Sequence, residues 1–380
     1  MKKNGKKKWI WIISAAAVVA VVAVILACMS SRGEEPKLTA VTIDEEHFPD
    51  KYFRAYVSLR YDEDGDGVLS GDERRKVKEL LISEMKIRDL QGIEYFPKLR
   101  ILECKDNILR NLDLSRNTDL RELNCNYCSL ESLNVSNLSE LRILVCRGNE
   151  LVQLDVSSNK KLRHLECVDN DLTTLDIHHN TALVRLECSG NDLTSLDVSG
   201  CANLAALDCA YNDLTSLDLG RCKKLSDLEC TGNELTDLNV SRCANLSYLK
   251  CGNNKLTSLD VTKCKKLKDF TCNGNELGSL DVTKCPELES LDCGNNILTA
   301  LDLSRCPKLS YLDCRVNKLT ALDVSQCPKL EKLVCAYNQL TRLDLTACTG
   351  LETLEYNGNP MTQQDIIGYT WTDGWRDWYR

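Results

Sequence analysis

Apolar residues recur along most of this chain with a period of 21 residues. A leucine returns at every twenty-first position from Leu99 to Leu351, and a second apolar column begins three residues later at Leu102. A third column begins at Cys104 and holds cysteine in twelve consecutive copies, until Tyr356 takes that place in the last copy. The alternation of apolar, polar and apolar residues predicts one short, half-buried strand per copy. A repeat of fixed length predicts a solenoid of stacked coils.

The repeat unit reads L-x-x-L-x-C-x-x-N-x-L-x-x-L-D-V-S-x-C-x-x between Leu99 and Met361. It resembles the leucine-rich repeat, with cysteine in place of the third leucine. The cysteine columns resemble the cysteine-ladder repeats of internalin-type surface proteins of Gram-positive bacteria. The resemblance implies an α/β-type solenoid with 21-residue coils and a parallel β-sheet on its concave face. Residues 99–359 form the leucine-rich repeats in this interpretation.

Cysteine is unusually abundant, with 22 residues in the chain. A second cysteine column runs from Cys201 to Cys348, and earlier copies have Asn117, Leu138 or Asn159 at that position. A position that accepts asparagine, leucine and cysteine is typical of packing. Neighbouring strands stack about 4.8 Å apart, whereas a disulfide prefers Cβ atoms about 3.8 Å apart. The columns therefore predict buried thiols rather than disulfides or a metal site.

The first 28 residues have the features of an export signal or a membrane anchor. Residues 1–8 carry five lysines, and residues 9–28 are uncharged and long enough to span a bilayer as a helix. This pattern predicts a single-pass protein of the cell membrane with an extracytoplasmic body, because basic residues stay inside. Residues 29–40 would form a linker. The alternatives are a cleaved signal peptide and a lipoprotein anchored at Cys28, since residues 25–28 resemble a lipobox.

A calcium-binding loop is predicted between residues 62 and 73. The stretch DEDGDGVLSGDE matches the EF-hand loop, and the EF-hand-like helical segment would cover residues 41–81. A helix is expected on each side, the second over ERRKVKELLISEM, residues 73–85. The alternatives are a solvated acidic turn and a simple helix capping box. The predicted Ca²⁺ ligands come from Asp62, Asp64, Asp66, Val68, Ser70 and Glu73.

Atypical segments flank the repeats and are predicted to cap them. Residues 82–98 resemble a degenerate repeat, which would cover the core of the first coil. Residues 360–380 contain Trp371, Trp375 and Trp378, and they are expected to form a C-terminal cap. Calcium would then make the N-terminal cap rigid rather than take part in catalysis.

The charge balance indicates the kind of ligand. Apart from the lysines of residues 1–8, 43 basic residues face 56 acidic ones, and an acidic body argues against nucleic acid as a partner. Acidic residues and tyrosines recur at the outward positions of the predicted strands, which suits a basic protein or peptide ligand. The candidate binding residues are Glu166, Glu187, Asp208, Tyr211, Glu229, Tyr248, Asp292, Tyr311 and Asp313.

The sequence carries no recognisable catalytic motif. No unassigned segment is long enough for an independent catalytic domain, so we predict a binding protein and not an enzyme. Protein–protein binding or adhesion through the concave face is the favoured function. A structural or envelope-associated spacer without a specific ligand is the alternative.

Overall fold

A computed structural model describes residues 38–369 of the 380-residue chain. The predicted basic tail, the apolar segment at residues 9–28, the alternative anchor at Cys28 and the three C-terminal tryptophans lie outside the described residues. Between residues 38 and 369, no helix is both long and apolar enough to cross a membrane.

The N-terminal segment folds around the acidic loop. Its elements are β1 (Val41–Thr42), α1 (Lys51–Tyr61), β2 (Val68–Leu69) and α2 (Gly71–Lys76). The two short strands pair antiparallel, so that the stretch before α1 holds the end of the acidic loop in place. Asp50 caps α1 by accepting hydrogen bonds from two backbone amides of its first turn.

A parallel sheet of fourteen strands dominates the rest of the molecule. Consecutive strands pair side by side, and facing residues are 21 positions apart from β4 onward. The strands β3 to β15 are, in order, Glu79–Leu81, Ile101–Glu103, Glu122–Asn124, Ile143–Val145, His164–Glu166, Arg185–Glu187, Ala206–Asp208, Asp227–Glu229, Tyr248–Lys250, Asp269–Thr271, Ser290–Asp292, Tyr311–Asp313 and Lys332–Val334. After β16 (Leu343–Asp344), the last strand of the sheet is β17 (Thr353–Glu355).

Each strand of the sheet turns one side chain inward and two outward. In β11, Leu249 is fully buried, while Tyr248 and Lys250 are partly exposed. The inward leucines and cysteines of all coils form one continuous hydrophobic core. Within residues 99–359 turns close the coils and no helix is present, which explains how one coil needs only 21 residues. The predicted solenoid with a parallel sheet is confirmed, and among residues 38–369 the α-helices are confined to the N-terminal segment.

A column of buried asparagines ties each coil to the one before it. The Asn296 amide donates to the Cys293 carbonyl of its own coil (3.2 Å) and to the Cys272 carbonyl of the preceding coil (3.0 Å). Its Oδ1 accepts from the backbone amide of Leu277 (3.0 Å). These bonds satisfy backbone groups that point into the interior.

The second cysteine column lies in a corner where two carbonyls point into the coil. Where this column holds Asn180, the side-chain amide donates to the carbonyls of Val156 (2.9 Å) and Asn159 (3.0 Å), but its Oδ1 is buried without a partner. In the next coil, the Cys201 thiol points at the equivalent carbonyls, those of Ile177 and Asn180, each 3.9 Å from Sγ. A thiol is only a weak donor, but unlike the asparagine amide it adds no strong side-chain acceptor that would be buried without a partner. All 21 cysteines among residues 38–369 are buried free thiols.

Cys128 interrupts the asparagine column and changes the backbone around it. Its thiol donates to the Cys104 carbonyl at 3.1 Å, in place of the missing amide. The backbone amide of Leu109 donates instead to the main-chain carbonyl of Cys128 (2.9 Å). Nearby, Arg110 and Ser129 adopt φ angles of 50° and 55°, a region that few residues other than glycine occupy. The C-x-x-C pair of the sequence is therefore part of the coil packing.

The prediction of a long helix over residues 73–85 is wrong. Helix α2 ends at Lys76, and β3 begins only three residues later. Leu80 and Ile82 are fully buried, and the Ile82 amide donates to the Glu103 carbonyl of the next coil (2.8 Å). Pairing with an open sheet edge outweighs the helix propensity of this charged stretch. The first coil therefore begins before residue 82.

Within residues 38–369, the final coil is less deeply buried than the coils before it. A 3₁₀ turn, Gln363–Asp365, leads into β18 (Ile366–Ile367), which pairs in parallel with β16 on the turn side of the molecule. In the final coil Leu351 and Leu354 are only partly buried, whereas their counterparts in the preceding coils are fully buried.

Candidate functional site

Four acidic side chains stand in line on the outward surface of the sheet, which we call the strand face. Glu166, Glu187, Asp208 and Glu229 are the last residues of β7, β8, β9 and β10, and the register places each directly opposite the next. All four are partly exposed. The regular repeat thus brings together four of the predicted binding residues as one acidic row.

A small side chain opens a depression beside this row. Ala206 is the first residue of β9 and lies between Arg185 of β8 and Asp227 of β10. Because alanine ends at Cβ, the space between these longer side chains stays open. The depression has a volume of about 210 Å³. Its charged and aromatic lining consists of Arg185, Glu187, Asp208, Asp227, Glu229 and Tyr248.

The carboxylates around the depression are not electrostatically equivalent. The His164 imidazole, with Nε2 3.6 Å from Glu187 Oε1, and the Arg185 guanidinium lower the pKa of Glu187 to about 2. Burial raises the pKa of Asp208, although its oxygens accept from Ala210 N and Ser189 Oγ. An external cation would stabilise the charged form of Asp208, because no cationic side chain of the described chain forms an ion pair with it.

The remaining candidate residues of the strand face differ in their exposure and in their partners within the chain. Tyr248 and Tyr311 begin β11 and β14, and both are partly exposed. Asp292 is partly exposed, and burial raises its pKa. Asp313 is only 4% exposed, and Arg315 binds its carboxylate through Nε (2.7 Å) and a terminal nitrogen (2.6 Å). The Asp313 carboxylate is therefore engaged within the chain.

Tyr211 lies on a different row, at the edge where the strands end. The residue two positions after the strand cysteine has positive φ in every coil from Asp106 to Gly358. At Tyr211 this places the ring across Gly232 of the next coil, where an added Cβ would lie 2.7 Å from Tyr211 Cδ1. The pairs Tyr127–Gly148 and Tyr337–Gly358 repeat the arrangement. In the sequence, this row is marked by a tyrosine followed by a glycine 21 residues later, a pattern that was not among the predicted binding features.

The acidic loop brings three of its predicted ligands together. Carboxylate oxygens of Asp62, Asp64 and Asp66 lie within 4.8 Å of one another. The Asp66 amide lowers the pKa of Asp64, but desolvation and repulsion from Asp66, Glu73 and Asp62 outweigh this effect and raise it. Gly65 and Gly67 have φ of 72° and 78°, which lets the loop turn sharply around these carboxylates.

The other predicted ligands of the loop meet different partners. The Glu73 oxygens accept from the amides of Glu63 (2.8 Å) and Ser70 (2.7 Å), and Ser70 Oγ accepts from the Glu73 amide, so the two residues form a capping box. The Ile43 amide donates to the Gly67 carbonyl (2.9 Å). The neighbouring pair of the antiparallel strands, Thr42 and Val68, is therefore a non-hydrogen-bonded pair. The Val68 carbonyl then faces away from β1. The donor set of carboxylates and a carbonyl fits Ca²⁺.

Comparison with known structures identifies the fold family. The functional domain of InlJ from Listeria monocytogenes, which includes a cysteine ladder, is 32% identical, with a TM-score of 0.63 over 82% of this chain and 79% of that one. The chain belongs to the internalin-like, cysteine-ladder leucine-rich-repeat proteins. An internalin of the same species, InlF, is 22% identical, with a TM-score of 0.57 over 87% of this chain and 88% of that one.

Similarity of fold extends beyond bacterial internalin-like proteins. The leucine-rich-repeat ectodomain of the Arabidopsis thaliana receptor kinase GASSHO1/SCHENGEN3, solved in complex with CASPARIAN STRIP INTEGRITY FACTOR 2, is 23% identical. Its TM-score is 0.59 over 70% of this chain and 39% of that one, a likeness that shows the fold alone. No protein-family model and no curated protein matches the sequence.

Proposed function

We propose that this internalin-like protein binds a protein or peptide through its strand face, and that a lysine or arginine of the ligand enters the depression over Ala206. The observation that carries the proposal is the depression itself, which combines an apolar floor with four carboxylates and the Tyr248 ring. Pockets that hold a charged side chain commonly combine such a floor with a few oriented polar groups.

The charge of the depression favours a cation. Arg185 neutralises part of Glu187, and Lys250 Nζ is 3.8 Å from Glu229 Oε2. Asp208 and Asp227 are not ion-paired within the described chain, and a ligand cation would compensate the cost of holding Asp208 partly buried. The plant ectodomain named above was solved in complex with a partner, which agrees with a role in binding for a leucine-rich-repeat solenoid.

Selection from a random peptide library tests the proposal. Full-length protein in neutral detergent should enrich peptides rich in lysine and arginine, and the triple variant Asp208→Asn, Asp227→Asn, Glu229→Gln should not. A spacer without a ligand would enrich no sequence above an uncoated surface. Equal enrichment on the wild type and the triple variant would contradict the strand-face site.

We propose that Ca²⁺ binds the loop of residues 62–73 and makes the N-terminal cap rigid. Asp62, Asp64, Asp66 and the Val68 carbonyl would hold the ion, and Ser70 and Glu73 would complete the set. The ion would offset the mutual repulsion that raises the pKa of Asp64. The loop is joined through β2 to β1 and through α2 to the first coil, so order in the loop would extend to the edge of the sheet.

The variant Asp64→Asn should weaken calcium binding without disrupting the fold of the cap. Asp64 accepts only a long 3.3 Å bond from the Asp66 amide, so its replacement should leave the cap folded. Without calcium the variant should unfold at the same or a slightly higher temperature than the wild type, because one repulsive charge is gone. With calcium the wild type should gain stability by mass action, and the variant should gain much less. Equal gains, or no gain in the wild type, would contradict the site.

We propose that residues 9–28 anchor the protein in the cell membrane with its body outside the cytoplasm. The support is the sequence: a basic segment followed by twenty uncharged residues. In intact cells, added protease should degrade the repeats, and the protein should fractionate with membranes. Protection of the repeats in intact cells would contradict this orientation. Labelling with a palmitate analogue that depends on Cys28 would favour the lipoprotein alternative.

A further inference from the structure

A line of basic side chains runs along the edge of the solenoid where the chain enters the strands. The residue immediately before the second cysteine column is basic in five consecutive coils, which we call the basic row: Arg221, Arg242, Lys263, Lys284 and Arg305. All five are exposed. Within the described chain none of these five side chains forms a hydrogen bond or an ion pair, so their charges are available.

The fold does not require a base at this position. Other coils place Asn137, Ser158, His179, Gly200, Gln326 or Ala347 there in the same turn, and only the first coil, with Arg116, also has a base. Stacking like charges in adjacent coils is unfavourable. The fold therefore does not require five successive cations at a position that tolerates a serine or a glycine.

The spacing of the basic row is set by the backbone. Adjacent strands are paired residue for residue through these coils, which stacks them about 4.8 Å apart. The turns are also linked to one another, since the thiols of Cys243 and Cys264 point at the carbonyls of Cys222 and Cys243, at 3.7 and 3.9 Å. The backbone thus sets out five basic residues in a line about 20 Å long.

Side chains of both charges surround the basic row. The coils of Arg221 and Lys263 each add two exposed lysines directly after the cysteine. Aspartates three residues before the row, such as Asp260 and Asp281, have one oxygen engaged by the backbone amide two residues later. The side chains and amides of Thr262 and Thr283, together with Lys263 and Lys284, lower the pKa of the two aspartates, so both carboxylates stay ionised beside the row.

We propose that the basic row binds a linear polyanion, a chain whose carboxylate, sulfate or phosphate groups recur along its length. The row is one residue wide, so it fits an extended polymer better than the plane of a membrane surface. It is separate from the acidic strand face, and the proposal does not depend on the ligand of that face. Binding to a row of cations should weaken steeply as salt rises, because each contact releases condensed counterions.

Titrations with defined polymers test the proposal. Full-length protein in neutral detergent should bind at least one of heparin, polygalacturonate and long-chain polyphosphate at low salt, and the one that binds identifies the anionic group. The disaccharide or the pyrophosphate unit alone should bind far more weakly, since it spans too few coils. The double variant Lys263→Gln, Lys284→Gln should bind the polymer about tenfold more weakly or worse.

The control variant removes the same charge elsewhere. Arg116→Gln, Lys160→Gln changes two exposed bases in coils outside the row, and it should bind within about twofold of the wild type. Equal losses in both double variants, or no polymer binding at low salt, would overturn the proposal. So would self-association that only the row variant abolishes, in the absence of polymer binding, because the row would then be a contact between copies.

Discussion

At the scale of single residues, hydrogen-bond satisfaction explains why one position prefers asparagine and another cysteine. Asn191 uses its amide and its carbonyl oxygen, with four bonds to the backbone of two coils. Asn180 uses only its amide and buries an acceptor without a partner. The sequence could indicate both columns as packing positions, but not this difference, because it depends on the direction of neighbouring carbonyls.

The two asparagines should therefore respond differently to the same change. Asn180→Cys should alter the free energy of unfolding by no more than about 1 kcal/mol, since the loss of two donors is offset by the removal of the unsatisfied acceptor. Asn191→Cys should cost about 2–4 kcal/mol, because it leaves backbone groups of two coils unpaired. Chemical denaturation under reducing conditions measures both values. Equal costs would show that the unsatisfied oxygen has no energetic weight.

Two carboxylates of the acidic row should have opposite effects on the pH dependence of stability. The pKa of Glu187 is lowered, so the Glu187 carboxylate stabilises the folded state at pH values above the ordinary glutamate pKa. This stabilisation is lost as pH falls toward about 2. The pKa of Asp208 is raised, so its charge destabilises the folded state at neutral pH. Glu187→Gln should lower the thermal midpoint at pH 7, and Asp208→Asn should raise it. Both differences should shrink at pH 3, and same-sign shifts at pH 7 would contradict the assignment.

At the scale of elements, the repeat could be predicted in detail because its period repeats the same environment many times. The strands, the inward cysteines and the short turns follow from the 21-residue pattern. The segment after the acidic loop could not be predicted, since Glu79–Leu81 becomes a strand only because the open edge of the first full coil accepts it. The distortion around Cys128 was also hidden, because it arises between coils.

Restoring the asparagine column tests the origin of that distortion. Cys128→Asn should allow the side-chain carbonyl to accept from Leu109 N, as Asn149 does from the Leu130 amide (3.0 Å). The change should raise stability by about 1 kcal/mol, and Arg110 and Ser129 should give up their positive φ in a crystal structure of the variant. The control Cys125→Asn, which places an amide among buried leucines, should destabilise the protein. A neutral or unfavourable Cys128→Asn would mean that the distortion has another cause.

At the scale of the whole molecule, the regular stack turns single residues into lines of charge. The same coil spacing that aligns Glu166 to Glu229 on the strand face also aligns Arg221 to Arg305 along the strand-entry edge. The sequence indicated the acidic face by its composition. The depression could also have been predicted from the sequence, because the 21-residue period already places Ala206 between Arg185 and Asp227 in adjacent strands. The sequence could not reveal that Asp313 is buried against Arg315.

The most direct measurement is a calorimetric titration of a lysine-rich or arginine-rich peptide, selected on the wild type, into Ala206→Arg and Ala321→Arg. Ala206 is the floor of the depression, whereas Ala321 is an exposed alanine outside the sheet. Arginine at position 206 should fill the depression, neutralise the acidic row and abolish binding. Arginine at position 321 should leave the affinity unchanged while adding the same charge to the protein. Wild-type affinity in Ala206→Arg would contradict the strand-face binding site.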